Sequence, residues 1–450
     1  MPKPNNHNHN LFILKISAVA ALGGLLFGFD TAIISGAIAH LEAYFKLDAL
    51  QLGWAVGCIL IGCATGALIA GSLADRYGRK ATLMLCALLF GLSAIGAGLS
   101  TSFAIFVFFR LLGGLGVGAA AMVSPMYIAE SVPADFRGRL VSLYQLAIVL
   151  GILLAYGANY YFEPFAQNWR WMFSSQLLPS VLFFALLLLV PDTPRWLMSK
   201  NKNTEALAVL RASSPEAIAN QNYQQILQSF EKERRAGQAE SLKVLFSRTY
   251  RPVLFTGILV AIFQQITGIN AILYYAPVIF KATGLSQSAA LLQSIGIGLV
   301  NVLATFIAIA YVDKLGRKTF LAYGSLVMGL SLSGVAACFQ YSYYSHYLLL
   351  IFMLIYVGAF ACTLGAVTWV YLSEIFPNRI RALAMSLSTL SLWLADFGVT
   401  YSFPYLSKML GTYGILYSYG FCCLIAFLFF CFRLPETKGK SLEEIEHLFI

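Results

Sequence analysis

Apolar stretches of about twenty residues, each long enough to cross a ~30 Å hydrocarbon layer as a helix, follow one another along the whole chain. Twelve can be marked off, at 11–38, 52–74, 81–99, 103–130, 140–162, 171–191, 252–280, 288–312, 319–340, 346–373, 382–404 and 411–433. One long polar stretch, 196–251, divides them six and six. Its alternation of charge with Ala and Leu, as over Glu205 to Arg211 and Gln225 to Glu231, predicts short amphipathic helices on a membrane face rather than a separate domain. The expected organisation is a disordered N-terminus 1–10, a six-helix bundle 11–195, linker helices 196–251, a second six-helix bundle 252–433 and a tail 434–450. The first span is too long for a cleaved signal peptide, and Asp30 lies in it.

Composition and charge sharpen this picture. Hydrophobic residues make up 59% of the 450, charged ones 11%, and the mean hydropathy is +0.74, so the solvent is lipid. With the N-terminus placed in the cytoplasm, inward loops and tails hold 25 of the 30 Lys and Arg, and outward loops hold only Lys46, Arg170, Lys281 and Lys408. That bias predicts a multi-pass protein of the inner (plasma) membrane with both termini cytoplasmic. The net charge of +10 therefore reports topology, and no nucleic-acid partner is expected. Eight cysteines all fall in spans and read as small apolar residues without metal spacing. His40, His346 and His447 lack partners at ligand spacing, and His7 and His9 fall in the polar N-terminus. No cofactor, no metal and no enzyme activity is expected, because no His/Glu/Cys cluster could activate a nucleophile.

The polar punctuation repeats. Asp75-Arg-Tyr-Gly-Arg-Lys80 returns as Asp313-Lys-Leu-Gly-Arg-Lys318; Glu130, Pro133, Arg137 and Arg139 return as Glu374, Pro377, Arg379 and Arg381; Pro191-Asp-Thr returns as Pro435-Glu-Thr437. Near-constant offsets mean a duplicated six-helix unit. Gly78 and Gly316 supply the positive φ that a two- to three-residue turn needs. Asp75, Arg79, Glu130, Arg137, Arg139 and their counterparts Asp313, Arg317, Glu374, Arg379, Arg381 are expected to form a cytoplasmic gate network that ties the two halves together when that side is shut.

Charge inside the spans is rarer and more telling. Asp30, Arg110 and Asp396 each cost roughly 2.5–3.5 kcal/mol at a bilayer centre, so they are expected to face a cavity. Asp30 with Arg110 supplies a carboxylate able to take a proton beside a fixed guanidinium, the minimal part for coupling to a proton gradient; a static ion pair fastening two helices is the alternative. The seventh span concentrates Gln264, Gln265, Asn270, Tyr274 and Tyr275 around Gly268. A helix break at Gly268 would let Gln265 and Asn270 face one cavity; amides bonding from helix to helix are the plainer reading. Gly114-Leu-Gly-Val-Gly118 lies within an apolar span and reads as close helix packing rather than a phosphate loop.

The two Asp-x-x-Gly-Arg-Lys loops, Pro191-Asp-Thr-Pro-Arg-Trp-Leu197, Gln264-Gln-Ile-Thr-Gly-Ile-Asn-Ala-Ile-Leu-Tyr-Tyr275 and Pro435-Glu-Thr-Lys-Gly-Lys-Ser441 together resemble the sugar porter family of the major facilitator superfamily, over essentially all but residues 1–10. Within it the chain is similar to bacterial proton-coupled monosaccharide symporters of the D-xylose type. The resemblance implies an all-α membrane protein of twelve helices in two pseudo-symmetric bundles, acting as a monomer by alternating access on a pentose or hexose with a proton. It implies sugar contacts at Gln145, Gln264, Gln265, Asn270, Asn301, Trp369 and Trp393, joined here by Tyr274, and proton coupling at Asp30 and Arg110. Amides suit a sugar because each offers donor and acceptor without charge, and the Trp rings suit its C–H face. Three positions depart from the pattern: Ile152 and Leu392 replace polar residues, and Asp396 replaces an asparagine. A protonated Asp396 would mimic that asparagine; a charged one would be a second proton site. A facilitative uniporter of the same fold is the alternative function, and a sugar sensor the next.

Overall fold

A computed structural model of the chain describes residues 6–236, 242–341, 346–377, 380–438 and 444, with side chains for these except 6–8, 134–135, 137–139, 232–236, 242–243, 313–315, 346 and 382. Among the described residues every regular element is a helix. Spans 1 to 5 are Asn6–Phe45, Ala49–Tyr77, Arg79–Gly98, Phe103–Ser131 and Ala134–Phe162. Span 6 is Asn168–Ser175 continued by Leu177–Leu188. After the linker helices Pro194–Ser199, Asn203–Ser213, Glu216–Ala236 and Leu242–Leu245 come span 7 (Arg251–Ile266 and Ile269–Lys281), span 8 (Gln287–Leu315), span 9 (Arg317–Gln340) and span 10 (His346–Cys362 and Leu364–Ile375). The last helix, Arg381–Arg433, has 53 residues. At 1.5 Å per residue it would run to about 80 Å, far beyond a bilayer. Gly411, at φ 73° and ψ 161°, breaks it into spans 11 and 12. Large apolar side chains such as Phe432 (80% exposed) and Leu178 (78%) point outward, as lipid-facing residues do.

The first helix starts at Asn6, within the stretch expected to be disordered, and His9 Nδ1 lies 3.0 Å from Ala212 O on a linker helix. Because each bundle has six spans, the start of the chain, the linker helices and the end of span 12 share one face, the linker face. In span 4, a Cβ on Gly114 would come within 2.1 Å of Ile59 O, and one on Gly118 within 1.9 Å of Cys63 O. The glycine run is thus a close-packing surface for span 2, as its apolar setting predicts.

The duplication is visible atom by atom on the linker face. Asp192 Oδ1 accepts from Arg79 N (3.1 Å) and Lys80 N (3.4 Å), capping span 3; Glu436 accepts from Arg317 N (2.9 Å) and Lys318 N (3.1 Å), capping span 9. Arg79 pairs with Glu130 at 2.9 Å, and Arg317 with Glu374 at 2.8 Å. Thr193 Oγ1 donates to Glu130 Oε2 at 2.6 Å and Thr437 Oγ1 to Glu374 Oε2 at 2.6 Å. Tyr127 OH donates to Pro191 O and Tyr371 OH to Pro435 O. Gly78 (φ 103°) and Gly316 (φ 92°) make the turns, each where a Cβ would strike the capping carboxylate.

In this conformation the repeated motifs form two separate networks, one in each half. The carboxylates of Glu130 and Glu374 each bond to the turn arginine and the threonine of their own repeat. Asp75 pairs with Arg79 four residues on, and Arg381 Nε donates to Phe376 O. Arg379 lies outside the described residues, as do the side chains of Arg137, Arg139 and Asp313.

The halves meet where span 1 packs on span 7, span 2 on span 11 and span 5 on span 8. These contacts lie away from the linker face. Trp54 meets Phe397 and Tyr401 edge-on at 5.8 and 6.4 Å. Tyr156 OH donates to Leu273 O at 2.8 Å, and Ser288 Oγ donates to Glu163 Oε2 at 3.2 Å.

Candidate functional site

Span 7 is broken where its sequence predicts. Gly268 takes φ 89°, and a Cβ there would lie 2.5 Å from the Tyr419 ring. The break frees donors and acceptors on both sides of it. Gln264 and Gln265 end the first segment and Asn270 opens the second, so the three amides converge although Gln265 and Asn270 are five residues apart. Asn270 Nδ2 donates to Gln265 Oε1 (3.0 Å), Gln265 Nε2 to Gln264 Oε1 (3.4 Å), and Gln264 Nε2 to Leu364 O (3.0 Å).

That last acceptor lies just past a second break, in span 10, at Thr363 (φ −123°, ψ −92°). Span 10 was expected to be continuous. Leu364 opens the helix after the break, and the buried Gln264 amide donates to its carbonyl from another helix. The two discontinuous spans are joined at the break in span 7 by this bond and by Tyr356 OH donating to Thr267 O at 2.9 Å.

The amide chain ends on a carboxylate. Asn270 Nδ2 also donates to Asp396 Oδ2 at 2.7 Å, and Thr400 Oγ1, one turn further along span 11, donates to Asp396 Oδ1 at 3.2 Å. Asp396 is 1% exposed, and no cation stands among these partners. The spacing from Asp396 to Thr400 is the only sequence signal that could have indicated this second donor.

In the first half, Asp30 and Arg110 are both fully buried and joined by a hydrogen bond from Arg110 Nη1 to Asp30 Oδ1. Phe173 lies against the guanidinium, 5.4 Å away. Thr31, next to Asp30, lies beside Tyr274 of span 7, so the acid–base pair is one residue from the contact between the halves. Nothing in the spacing indicated Thr31.

The aromatic residues divide. Trp393 is 5% exposed, its ring 5.7 Å from Phe27 of the opposite half, and its Nε1 is buried without an acceptor among the described residues. Trp369, on the linker side of the break in span 10, is 37% exposed. Gln145 is half-buried; Asn301, Ile152 and Leu392 are buried. His40 Nε2 lies 3.0 Å from Asn168 Nδ2 at the far face. The structure thus brings Gln264, Gln265, Asn270 and Asp396 into one chain of hydrogen bonds and joins Asp30 with Arg110 in another.

Known proteins with this sequence pattern are numerous. An arabinose-proton symporter of Bacillus subtilis is 39% identical over 99% of this chain and 97% of its own length, and a D-xylose-proton symporter of Escherichia coli K12 is 39% identical over the same shares. An inward open structure of the E. coli xylose transporter XylE superposes with a TM-score of 0.86 at 37% identity, covering 98% of this chain and all of that one. The family profile described as "Sugar (and other) transporter" matches residues 16–449, and the chain belongs to that sugar transporter family.

Proposed function

We propose that this protein carries a monosaccharide together with a proton across the plasma membrane, exposing one central site to each side in turn. The observation that supports this most directly is the buried Asp30–Arg110 pair beside the contact between the halves. A carboxyl that exchanges a proton there can change the packing of span 1 on span 7, the element that carries the amides. Relatives named as proton symporters, alike over nearly their whole lengths, support the same reading.

In this reading Gln264, Gln265, Asn270 and Tyr274 from span 7 bind sugar hydroxyls with Gln145 and Asn301. Trp393 and Trp369 take its apolar face. Buried Ile152 and Leu392 make two edges of the site apolar and so bias it among pentoses and hexoses. Trp369, exposed here, comes onto the sugar when the Leu364–Ile375 segment closes about Thr363. The two bundles move as bodies, with 196–251 as the tether, and the protein works as a monomer. The linker face is cytoplasmic, because the basic residues gather there. Contacts concentrated on the opposite face then make this an inward-facing conformation, in keeping with its likeness to inward open XylE.

The test is uptake by purified protein in vesicles loaded with a pH indicator, across a panel of aldopentoses and aldohexoses. At least one sugar should enter together with protons, and an imposed inward proton gradient should concentrate it. Sugar entry without proton movement would identify a uniporter, the activity in the name of the "Glucose facilitated diffusion protein" of Zymomonas mobilis, 36% identical over 97% of this chain. No uptake of any sugar would reject the reading altogether.

A further inference from the structure

Asp396 stands apart from the acid already assigned. It is on span 11 of the second half, is fully buried, and holds two hydrogen-bond donors but no counter-charge. The titratable side chains near it are Cys63 from span 2 and Tyr274 from span 7, with Tyr275 bonded to the Thr400 carbonyl; Asp30 and Arg110, near the same Cys63, are bonded to each other. A lone carboxylate in dry surroundings needs either a cation or a bound proton.

The hydrogen-bond chain says what the proton changes. With Asp396 ionised, both Nδ2 protons of Asn270 are spoken for, one by Gln265 Oε1 and one by Asp396 Oδ2, so Asn270 offers a sugar only its carbonyl oxygen. Once Asp396 takes a proton, its pull on Asn270 weakens and the carboxyl gains an O–H of its own. The site then has one new donor, the carboxyl O–H, and a more loosely held N–H on Asn270 to offer hydroxyl oxygens. Sugar and proton binding therefore favour each other, by the same factor in each direction.

From this geometry we propose that Asp396 is a second proton-binding site, separate from Asp30, whose proton sets the donor pattern of the amide cluster and so raises its affinity for sugar. The ligand is a proton from the medium, and no bond other than O–H forms or breaks. The inference rests on the symport reading only for the identity of the sugar.

Two measurements on purified full-length protein test it. The first needs no sugar: infrared difference spectra recorded against pH on Asp30→Asn protein should show the carbonyl stretch of a buried protonated carboxylic acid that titrates. The band should vanish in Asp30→Asn/Asp396→Asn. Should that double variant fail to fold, Thr400→Val in the Asp30→Asn background should move the band's midpoint, since Thr400 is one of the two donors. The second is calorimetry of sugar binding in buffers of different ionisation enthalpy, which counts protons taken up. Asp30→Asn should still take up protons with sugar, and its affinity should fall by up to about tenfold per pH unit above the midpoint. The double variant should take up none, with affinity flat in pH. A titrating band that survives Asp396→Asn, or no band in Asp30→Asn, overturns the proposal. A wild type that binds no sugar while the band still titrates refutes the symport reading and the coupling to sugar, and leaves the proton site standing.

Discussion

Arg110 on span 4 meets Asp30 on span 1 through Nη1 and Oδ1 alone, leaving Asp30 Oδ2 and Arg110 Nε and Nη2 without partners among the described residues. A forked pair would occupy both carboxylate oxygens; this one leaves an oxygen open to a proton. One proton moving down ~100 mV supplies about 2.3 kcal/mol, enough for roughly fifty-fold accumulation. At a pH low enough to keep Asp396 protonated on both sides, Asp30→Asn is therefore expected to lose accumulation against a gradient while sugar exchange between equal pools continues. Vesicle uptake with and without a proton gradient checks this, and a mutant that still concentrates sugar would move the coupling role elsewhere.

Gly268 holds the amide cluster in place by being a glycine. At φ 89° any side chain costs about 1–2 kcal/mol, and the Cβ would also press on the Tyr419 ring. Gly268→Ala should lower thermal stability by at least that much and weaken sugar binding several-fold, because Gln265 and Asn270 would lose their common direction. Unchanged melting temperature and affinity would show that the break is not what aligns them.

The break at Gly268 was legible because a glycine stands amid polar residues in an otherwise apolar span. The break at Thr363 was not, since no glycine or proline stands there and the Gln264 bond beside it comes from 100 residues away in sequence. Likewise the paired offsets of Glu130 and Glu374 revealed the duplication but not the partners. Asp192 and Glu436 reach back more than 100 residues to cap spans 3 and 9, and such tertiary capping leaves no local signature. Twelve spans could be counted from apolar length alone, whereas the direction in which the bundle opens depends on which ends touch.

The cap on span 3 has a pH dependence of its own. Burial pushes the Asp192 carboxyl above its usual range, while the backbone N–H groups of Thr193, Lys80 and Arg79, with the Arg79 guanidinium, pull it down. A folded-state pKa above the unfolded value means a contribution present below about pH 4 and lost as pH rises through the folded value. Asp192→Asn keeps an acceptor without that charge, so its melting temperature relative to wild type should rise between pH 4 and pH 7. Asp192→Ala, which removes the acceptor, should cost about 0.5–2 kcal/mol at both. Thermal unfolding of the three proteins across pH decides; equal losses in Asn and Ala variants would refute the assignment.

The closed far face depends on a close approach of backbones. A Cβ on Gly53 of span 2 would come within 2.1 Å of Tyr401 O on span 11, and the neighbouring Trp54 already fills the space beside Phe397 and Tyr401. Gly53→Leu therefore forces these spans apart where they must touch for the linker face to open. Overpacking of this kind costs about 1–3 kcal/mol. It falls on the conformation seen here and is relieved when the far face opens, so populations should shift roughly five- to 150-fold toward the opposite state. Spin labels at the exposed linker-face positions Tyr77 and Ser373, one in each half, should report a shorter distance in Gly53→Leu than in the parent protein. Sugar binding should survive while exchange across the membrane slows in proportion. If the distance is unchanged in a folded variant, the contact between spans 2 and 11 does not control the opening, and the Tyr156–Leu273 bond or the packing of span 5 on span 8 must carry it instead.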